Sequence, residues 1–300
     1  MGDWVVNEIV RGDCQTVLQA FPDEHFSACI TDPPYDYEFI GCTWDEKEIK
    51  RRLERVKKST TLVKNIPYGS GRAGGVRNAR WYERNRKQVL DYTDWCRQWG
   101  RQVFRTLKVG AYLLVFSSTR SVAHVQVAME EAGFYARDLL VYRRRAGIPK
   151  GWKVGKGKEG LGGDDWQGWH SCLRNEWEAI CLLQKPLVDN YAKTLAQSGV
   201  GLLHAQPQPG GAFQSNVLEG FLRDSTTAGD IHCTVKPLEL MKFLVQLTVP
   251  ASSKHIVLDP FCGTGTTCLA AKQHGCGYLG IEVSSNYCEF ARKRLAETVS

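Results

Sequence analysis

The stretch His255-Ile256-Val257-Leu258-Asp259-Pro260-Phe261-Cys262-Gly263-Thr264-Gly265-Thr266-Thr267 decides how this chain folds. A short β-prone run, His255–Leu258, enters a turn holding two glycines, and a helical pattern follows over Thr266–His274. Glycines at such a turn let backbone approach a ligand closely, and a helix N-terminus aims unpaired N–H groups at it. The next β-prone run ends Gly280-Ile281-Glu282, with Glu282 nineteen residues beyond Gly263. That offset is where a strand–helix–strand unit sets an acid against ribose hydroxyls. The competing reading is an ordinary tight turn with a solvent-facing glutamate, and a bare G-x-G leaves the two evenly matched. A nicotinamide site is weakened by Cys268 at the place of the third glycine, and no Gly-Lys-Ser/Thr follows to make a P-loop.

Outward from this unit, further β-rich runs lie at Trp4–Val10, Phe26–Thr31, Ala111–Phe116, Phe134–Val141, Trp177–Leu183 and Gly277–Val283. Helical patterns alternate with them at Asp91–Leu107, Ser121–Glu131, Pro237–Thr248 and Ser284–Glu297. Alternation of this kind predicts an α/β fold with a doubly wound, mostly parallel sheet. A glycine-loop unit normally opens such a sheet, yet here only Ser284–Ser300 follows it. The first two strands must then extend the same sheet from the other end, which makes the order circularly permuted.

The run Phe26–Ile30 ends in Thr31-Asp32-Pro33-Pro34-Tyr35. Two prolines fix φ and remove N–H donors, so carbonyl oxygens stay free to accept from elsewhere. The Asp32 carboxylate, the Pro33 carbonyl and the Tyr35 face suit an exocyclic amine on a heteroaromatic ring, which offers N–H donors and a surface for stacking. The structural alternative is a Pro-rich turn with a capping Asp. Its place beside a ligand loop at one sheet edge favours function.

The chain has 300 residues, 43% of them hydrophobic, enough for one large or two small domains with a substantial core. Disordered and fibrous classes are excluded. No apolar run approaches the roughly 20 residues that span a bilayer, and Met1-Gly2-Asp3-Trp4 has no secretory pattern. Eleven scattered cysteines without a C-x-x-C pair predict reduced thiols in a cytoplasmic protein, with no disulfide framework and no metal site. The net charge of +7 is unevenly spread: residues 47–89 hold fourteen Lys/Arg against three Glu. The remainder is therefore net acidic. A second atypical stretch, Arg143 to about Asp230, is rich in Gly, Pro, Gln and Trp and opens with Arg143, Arg144 and Arg145. Both stretches read as insertions on the scaffold rather than parts of its sheet. Trp152, Trp166, Trp169 and Trp177 are expected in the core.

Taken together, these motifs resemble the S-adenosylmethionine-dependent amino methyltransferases of DNA, which make N6-methyladenine or N4-methylcytosine. Asp32-Pro33-Pro34-Tyr35 is similar to the family's catalytic motif and Phe261-Cys262-Gly263-Thr264-Gly265 to its F-x-G-x-G cofactor motif. With the catalytic motif first, the order is that of the β class. His232-Cys233-Thr234-Val235-Lys236-Pro237 resembles a helix-opening H-P-T-x-K-P motif, departing at Cys233, and Gly12-Asp13 resembles a turn that contacts the cofactor's adenine. The stretch Trp166–Pro186 with Ser215-Asn216-Val217 is similar to phage- and prophage-encoded members.

The resemblance implies a Rossmann-like methyltransferase fold, permuted, with an inserted recognition region. Residues 1–142 would be the N-terminal part of the catalytic domain, 143–230 the recognition region and 231–300 the C-terminal part. The implied cofactor is S-adenosylmethionine, held by Asp13, Thr234, Lys236, Asp259, Phe261, Gly263, Gly265, Thr266 and Glu282. The implied catalytic residues are Asp32, Pro33, Pro34 and Tyr35, acting on a base flipped out of double-stranded DNA. Arg51, Arg52, Arg55, Lys57, Lys58, Arg143, Arg144 and Arg145 are candidate DNA contacts, with Trp81 and Tyr82 as wedges or stackers. The aspartate in the first catalytic position favours adenine N6 over cytosine N4. RNA methylation, a silent DNA-binding homologue and a nicotinamide oxidoreductase are weaker alternatives. A homodimer and a partner restriction endonuclease are carried as candidates.

Overall fold

The computed structural model describes residues 6–35, 79–144, 166–170, 172–208, 210–222 and 235–297. Its strands are β1 (Glu8–Arg11), β2 (Phe26–Thr31), β3 (Leu107–Ser117), β4 (Tyr135–Arg143), β5 (Trp177–Gln184), β6 (Val217–Leu218), β7 (Ile256–Asp259) and β8 (Gly277–Glu282). The helices are α1 (Cys14–Leu18), α2 (Ala79–Thr106), α3 (Val122–Ala132), α4 (Tyr191–Ser198), α5 (Leu238–Thr248), α6 (Thr266–Gln273) and α7 (Ser285–Glu297). Among the described residues none of these helices is long and apolar enough to cross a membrane.

All eight strands join one sheet in the order β1-β8-β7-β2-β3-β5-β4-β6. The run from β1 to β3 is parallel throughout, and β5 lies antiparallel to β3. Every residue of β2 is buried, so it lacks the alternation of a one-sided strand and reads as a continuous apolar run. Trp99, Phe26, Phe116 and Met129 are among the largest fully buried side chains. The permutation is explicit in the pairing: Ile9 lies opposite Gly280 and Cys29 opposite Leu258, joining the two ends of the chain in one sheet. From β7 the chain winds through α6 to β8 on one side; from β2 it winds through α2 to β3 on the other. The crevice at the carboxyl ends of β7 and β2 is therefore the topological switch point, where open α/β sheets bind their ligands.

Three features differ from the sequence expectation. Helix α2 begins at Ala79 rather than near Asp91, because Arg80–Leu90 contains no Gly or Pro to stop it. Residues 143–230 do not stand outside the sheet: β5 and β6 are strands of it, since the apolar run Ala179–Leu183 needs burial on both faces. The chain divides into two compact units, the first comprising 1–42, 88–143 and 178–300, the second 43–87 and 144–177. The second unit's Trp166 and Trp169, expected in the core, are 49% and 57% exposed and meet edge-on at 5.1 Å. Trp152 lies outside the described residues.

Candidate active site

Two carboxylates stand at the ends of neighbouring parallel strands. Asp259 closes β7, and its oxygens accept from Thr31 Oγ1 of β2 at 2.7 Å, Thr267 Oγ1 of α6 at 2.5 Å and the Phe261 amide at 3.1 Å. Burial pushes its carboxyl up to about 6, although those three hydrogen bonds favour the ionised form. The carboxylate thereby ties β2, β7, α6 and the glycine loop together. Expected at the cofactor, Asp259 has both oxygens engaged by the protein itself.

The glycine loop takes a conformation that other residues would resist, with φ of +50° at Gly263 and +79° at Gly265. Above Gly263 a Cβ would meet nothing within 4 Å, so the backbone there presents an open cradle. The Gly263 amide donates to Glu282 Oε2 at 3.1 Å, and the Ser284 amide to Oε1 at 2.8 Å. These two bonds fix the Glu282 carboxylate beside the loop while leaving it further lone pairs. Burial raises its pKa more than the Ser284, Gly263 and Val283 amides lower it. The missing third glycine is compensated on the strand: a Cβ at Gly280 would come within 2.8 Å of Cys268 Sγ and 2.6 Å of Ile9 Cδ1. Close helix–strand packing is thus kept by moving the small residue from α6 to β8. Phe261 turns its ring towards α2, 5.4 Å from Trp95 and 5.3 Å from Trp99, and Thr266 Oγ1 accepts from Arg294 of α7 at 2.9 Å.

On the other wall, the Pro34 carbonyl accepts from Tyr92 Oη of α2 at 2.9 Å. Helix α2 therefore braces both walls, the proline turn through Tyr92 and the glycine loop through its tryptophans. Among the described residues nothing donates to the Pro33 carbonyl. Asp32 Oδ2 accepts from Lys236 Nζ at 2.5 Å, whereas Asp32 Oδ1 is buried without a hydrogen-bond partner among the described residues. Lys236, which precedes α5, also donates to Tyr35 Oη at 3.0 Å and lies 3.3 Å from Glu178 of β5. Burial works against its charge, but Asp32 and Glu178 outweigh that and hold the ammonium more firmly protonated than usual. Burial, then the charges of Asp32 and Glu178, push the Tyr35 phenol well above its ordinary range, so it stays neutral.

The structure therefore brings together Asp32, Pro33, Pro34 and Tyr35 on one side and Asp259, Phe261, Gly263, Gly265, Thr266 and Glu282 on the other. Lys236, expected at the cofactor, is placed on the proline turn. Asp13 caps α1, its Oδ1 accepting from the Gln15 and Thr16 amides at 3.0 and 3.2 Å. Arg143 makes an exposed ion pair with Glu219 at 3.2 Å, and the Arg144 amide donates to the Glu176 carbonyl at 2.6 Å. Thr234, Arg51, Arg52, Arg55, Lys57, Lys58 and Arg145 lie outside the described residues, as do the side chains of Trp81 and Tyr82. Glu178 and Tyr92 escaped the sequence reading. Glu178 is the one acid in an otherwise apolar run, which was a signal; Tyr92 sits on the same helical stripe as Trp95 and Trp99, one turn earlier.

The chain is similar to known proteins over nearly its whole length. The family model for the N6/N4 type, described as DNA methylase, matches residues 26–293. The chain is 32% identical to the Type II methyltransferase M.HindIII of Haemophilus influenzae over 304 residues, covering 97% of this chain and 96% of that one. The structure of an M1.HpyAVI–SAM complex aligns with a TM-score of 0.56 at 18% identity, over 96% of this chain and 98% of that one. The cytosine-N4-specific PvuII DNA methyltransferase aligns with a TM-score of 0.57 at 16% identity, over 97% and 87% of the two chains. At such identities the structural likeness speaks for the fold.

Proposed function

This chain belongs to the N6/N4 DNA methylase family, and on that premise we propose that it methylates the exocyclic N6 of adenine in double-stranded DNA at specific sites. The observation that carries the proposal is the pair of acceptors beside Tyr35: a buried Asp32 Oδ1 without a partner and a Pro33 carbonyl without a donor, both counted among the described residues. A buried acceptor left unpaired costs on the order of 1–3 kcal/mol, so the site stores a demand for N–H donors. Two N–H donors on one amine, with a base ring stacked on Tyr35, meet it. Accepting both hydrogens draws the nitrogen towards a pyramidal shape and localises its lone pair away from the ring. The lone pair then points across the crevice towards the glycine loop.

The family's cofactor is S-adenosylmethionine, and the loop suits it. The open cradle at Gly263 admits backbone contact, the clamped Glu282 carboxylate offers lone pairs to a ribose diol, and the N-terminus of α6 faces the same crevice. When bound, this cofactor supplies an electrophilic sulfonium methyl. The protein's part is positioning: Tyr92 and Thr31 hold the two walls in register, and Asp32 orients the amine. Adenine is favoured over cytosine by the aspartate in the first position of the turn.

The second unit carries twenty-one Lys/Arg against nine Asp/Glu, so the first unit is net acidic despite the chain's +7. Charge this localised suits a phosphate-facing surface, and we assign target recognition to this unit, with the half-exposed Trp166 and Trp169 available for stacking.

Mass spectrometry of nucleosides from host DNA made with and without the protein tests the central reading. N6-methyladenine is expected; N4-methylcytosine alone overturns the choice of base. Asp32→Ala should reduce methyl transfer by at least about 1,000-fold while cofactor binding survives. Neutralising Arg51, Arg52, Arg55, Lys57 and Lys58 to Gln should flatten the dependence of log affinity on log salt by about 0.9 for each phosphate no longer neutralised. An unchanged slope returns the stretch to a solvated surface.

A further inference from the structure

The Lys236 ammonium occupies part of the turn that the target base has to enter. It donates to Asp32 Oδ2 and to Tyr35 Oη, and its Nζ lies 5.4 Å from the Tyr35 ring centroid and 4.9 Å from that of Phe116. A base stacking on Tyr35 meets it at that ring, and an amine on Asp32 Oδ1 has to share the carboxylate with it. Lys236 is only 9% exposed, so pulling its charge from Asp32 into a site without another anion would leave a buried charge uncompensated, which is strongly unfavourable. A second anion is present. Glu178, 12% exposed, stands 3.3 Å from the same nitrogen.

Sheet topology explains why that acid is there. β5 runs antiparallel to β3, with Ala179 opposite Ser117 and Ile180 opposite Phe116. The start of β5 thus falls at the carboxyl edge of the parallel strands, where the proline turn lies. A parallel strand in that position would present its other end. Two carboxylates and one ammonium leave a net charge of −1, so one carboxylate is always in excess. Which one is in excess depends on where the ammonium sits.

Resting on the methyl-transfer reading above, we propose that Lys236 is a latch on the base-binding turn and that Glu178 is a positioning residue which takes up the ammonium when the target amine displaces it from Asp32. In the closed arrangement Lys236 shields Asp32 and Tyr35. In the open one it pairs with Glu178, and Asp32 and the Pro33 carbonyl receive the incoming donors. Only short side-chain movement is needed, because Nζ already reaches both acids. Without Glu178 the latch binds a single anion and stays closed, so the fraction of molecules able to seat a base falls.

Two measurements on the full chain test this separately from the activity itself. The first is a melting cycle. Asp32→Asn and Glu178→Gln should each lower the melting temperature by about 2 °C, since the other acid keeps the ammonium paired, while the double variant should fall by about 8 °C or more. Additive shifts overturn the shared-ammonium arrangement whether or not the chain methylates DNA. The second is kinetic, with tritiated S-adenosylmethionine and unmethylated bacterial genomic DNA. Glu178→Gln should lower kcat about tenfold with cofactor affinity unchanged, and Glu178→Asp should recover most of it. Adding Lys236→Met to Glu178→Gln should raise the rate above that of the single variant. A Glu178→Gln enzyme at the wild-type rate, or a double variant slower than the single, overturns the latch. Failure of the wild-type chain to label any DNA overturns the methyl-transfer reading instead, and the melting cycle still decides the ammonium's partners.

Discussion

Asp32 and Asp259 end adjacent parallel strands, β2 and β7, and both close on a proline, yet their surroundings are opposite. Asp259 is 4% exposed and saturated, with two threonine hydroxyls and an amide on its two oxygens. Asp32 gives one oxygen to a lysine that another acid also holds, and its other oxygen has no partner among the described residues. A saturated carboxylate cannot take another donor without breaking a bond already made, so it works as a strut. An unsaturated buried one stores a recognition demand. One strand end fixes the geometry that the other uses.

The largest effect that could break this contrast is the pH response of the strut. The Asp259 pKa in the fold, about 6, lies above its ordinary value of 3.8. A raised folded pKa means the stabilising contribution is complete below pH 3.8 and is lost as pH rises through about 6. The shift corresponds to about 3 kcal/mol in all, lost as pH rises from well below 3.8 to above 6. Asp259→Asn is neutral throughout and should remove that slope, as followed by chemical denaturation at several pH values. Parallel stability curves for the two proteins would show that Asp259 is not the saturated, desolvated group described.

A smaller effect sharpens the other side. The hydroxyl of Tyr92 holds the Pro34 carbonyl at 2.9 Å and with it the orientation of the turn. Removing it by Tyr92→Phe forfeits about 1 kcal/mol, which lowers the methyl-transfer rate about fivefold if the loss falls on the oriented state. Cofactor affinity should not change, because the tryptophans that brace Phe261 remain. Equal losses in rate and in cofactor binding would mean that α2 supports the crevice as a whole rather than wall by wall.

Much of this was readable in the chain. The alternation of apolar runs and helical patterns marked seven of the eight strands, most plainly the central β2, because a buried parallel strand must be a continuous apolar segment whatever its neighbours. The two-residue β6 and the short helices α1 and α4 had no periodicity long enough to register. Both ligand loops announced themselves through Gly and Pro, whose backbone constraints are local properties. The functional difference between Asp32 and Asp259 did not. Each is an acid before a proline at a strand end, and only the partners brought from β2, α6, β5 and the turn before α5 separate them. The same holds for Lys236, expected at the cofactor by its motif and found on the proline turn.

By itself the sequence determined the α/β class, the permuted order and the two loops that form the crevice, because strand burial and the φ demands of Gly and Pro act over a few residues. The tertiary structure alone decided which carboxylate is spent and which is available, and that Glu178 reaches the proline turn through an antiparallel strand. Those outcomes depend in part on distances between residues more than 200 positions apart, as Asp32 and Lys236 or Thr31 and Asp259 are, and hydrogen-bond saturation is a property of such distances.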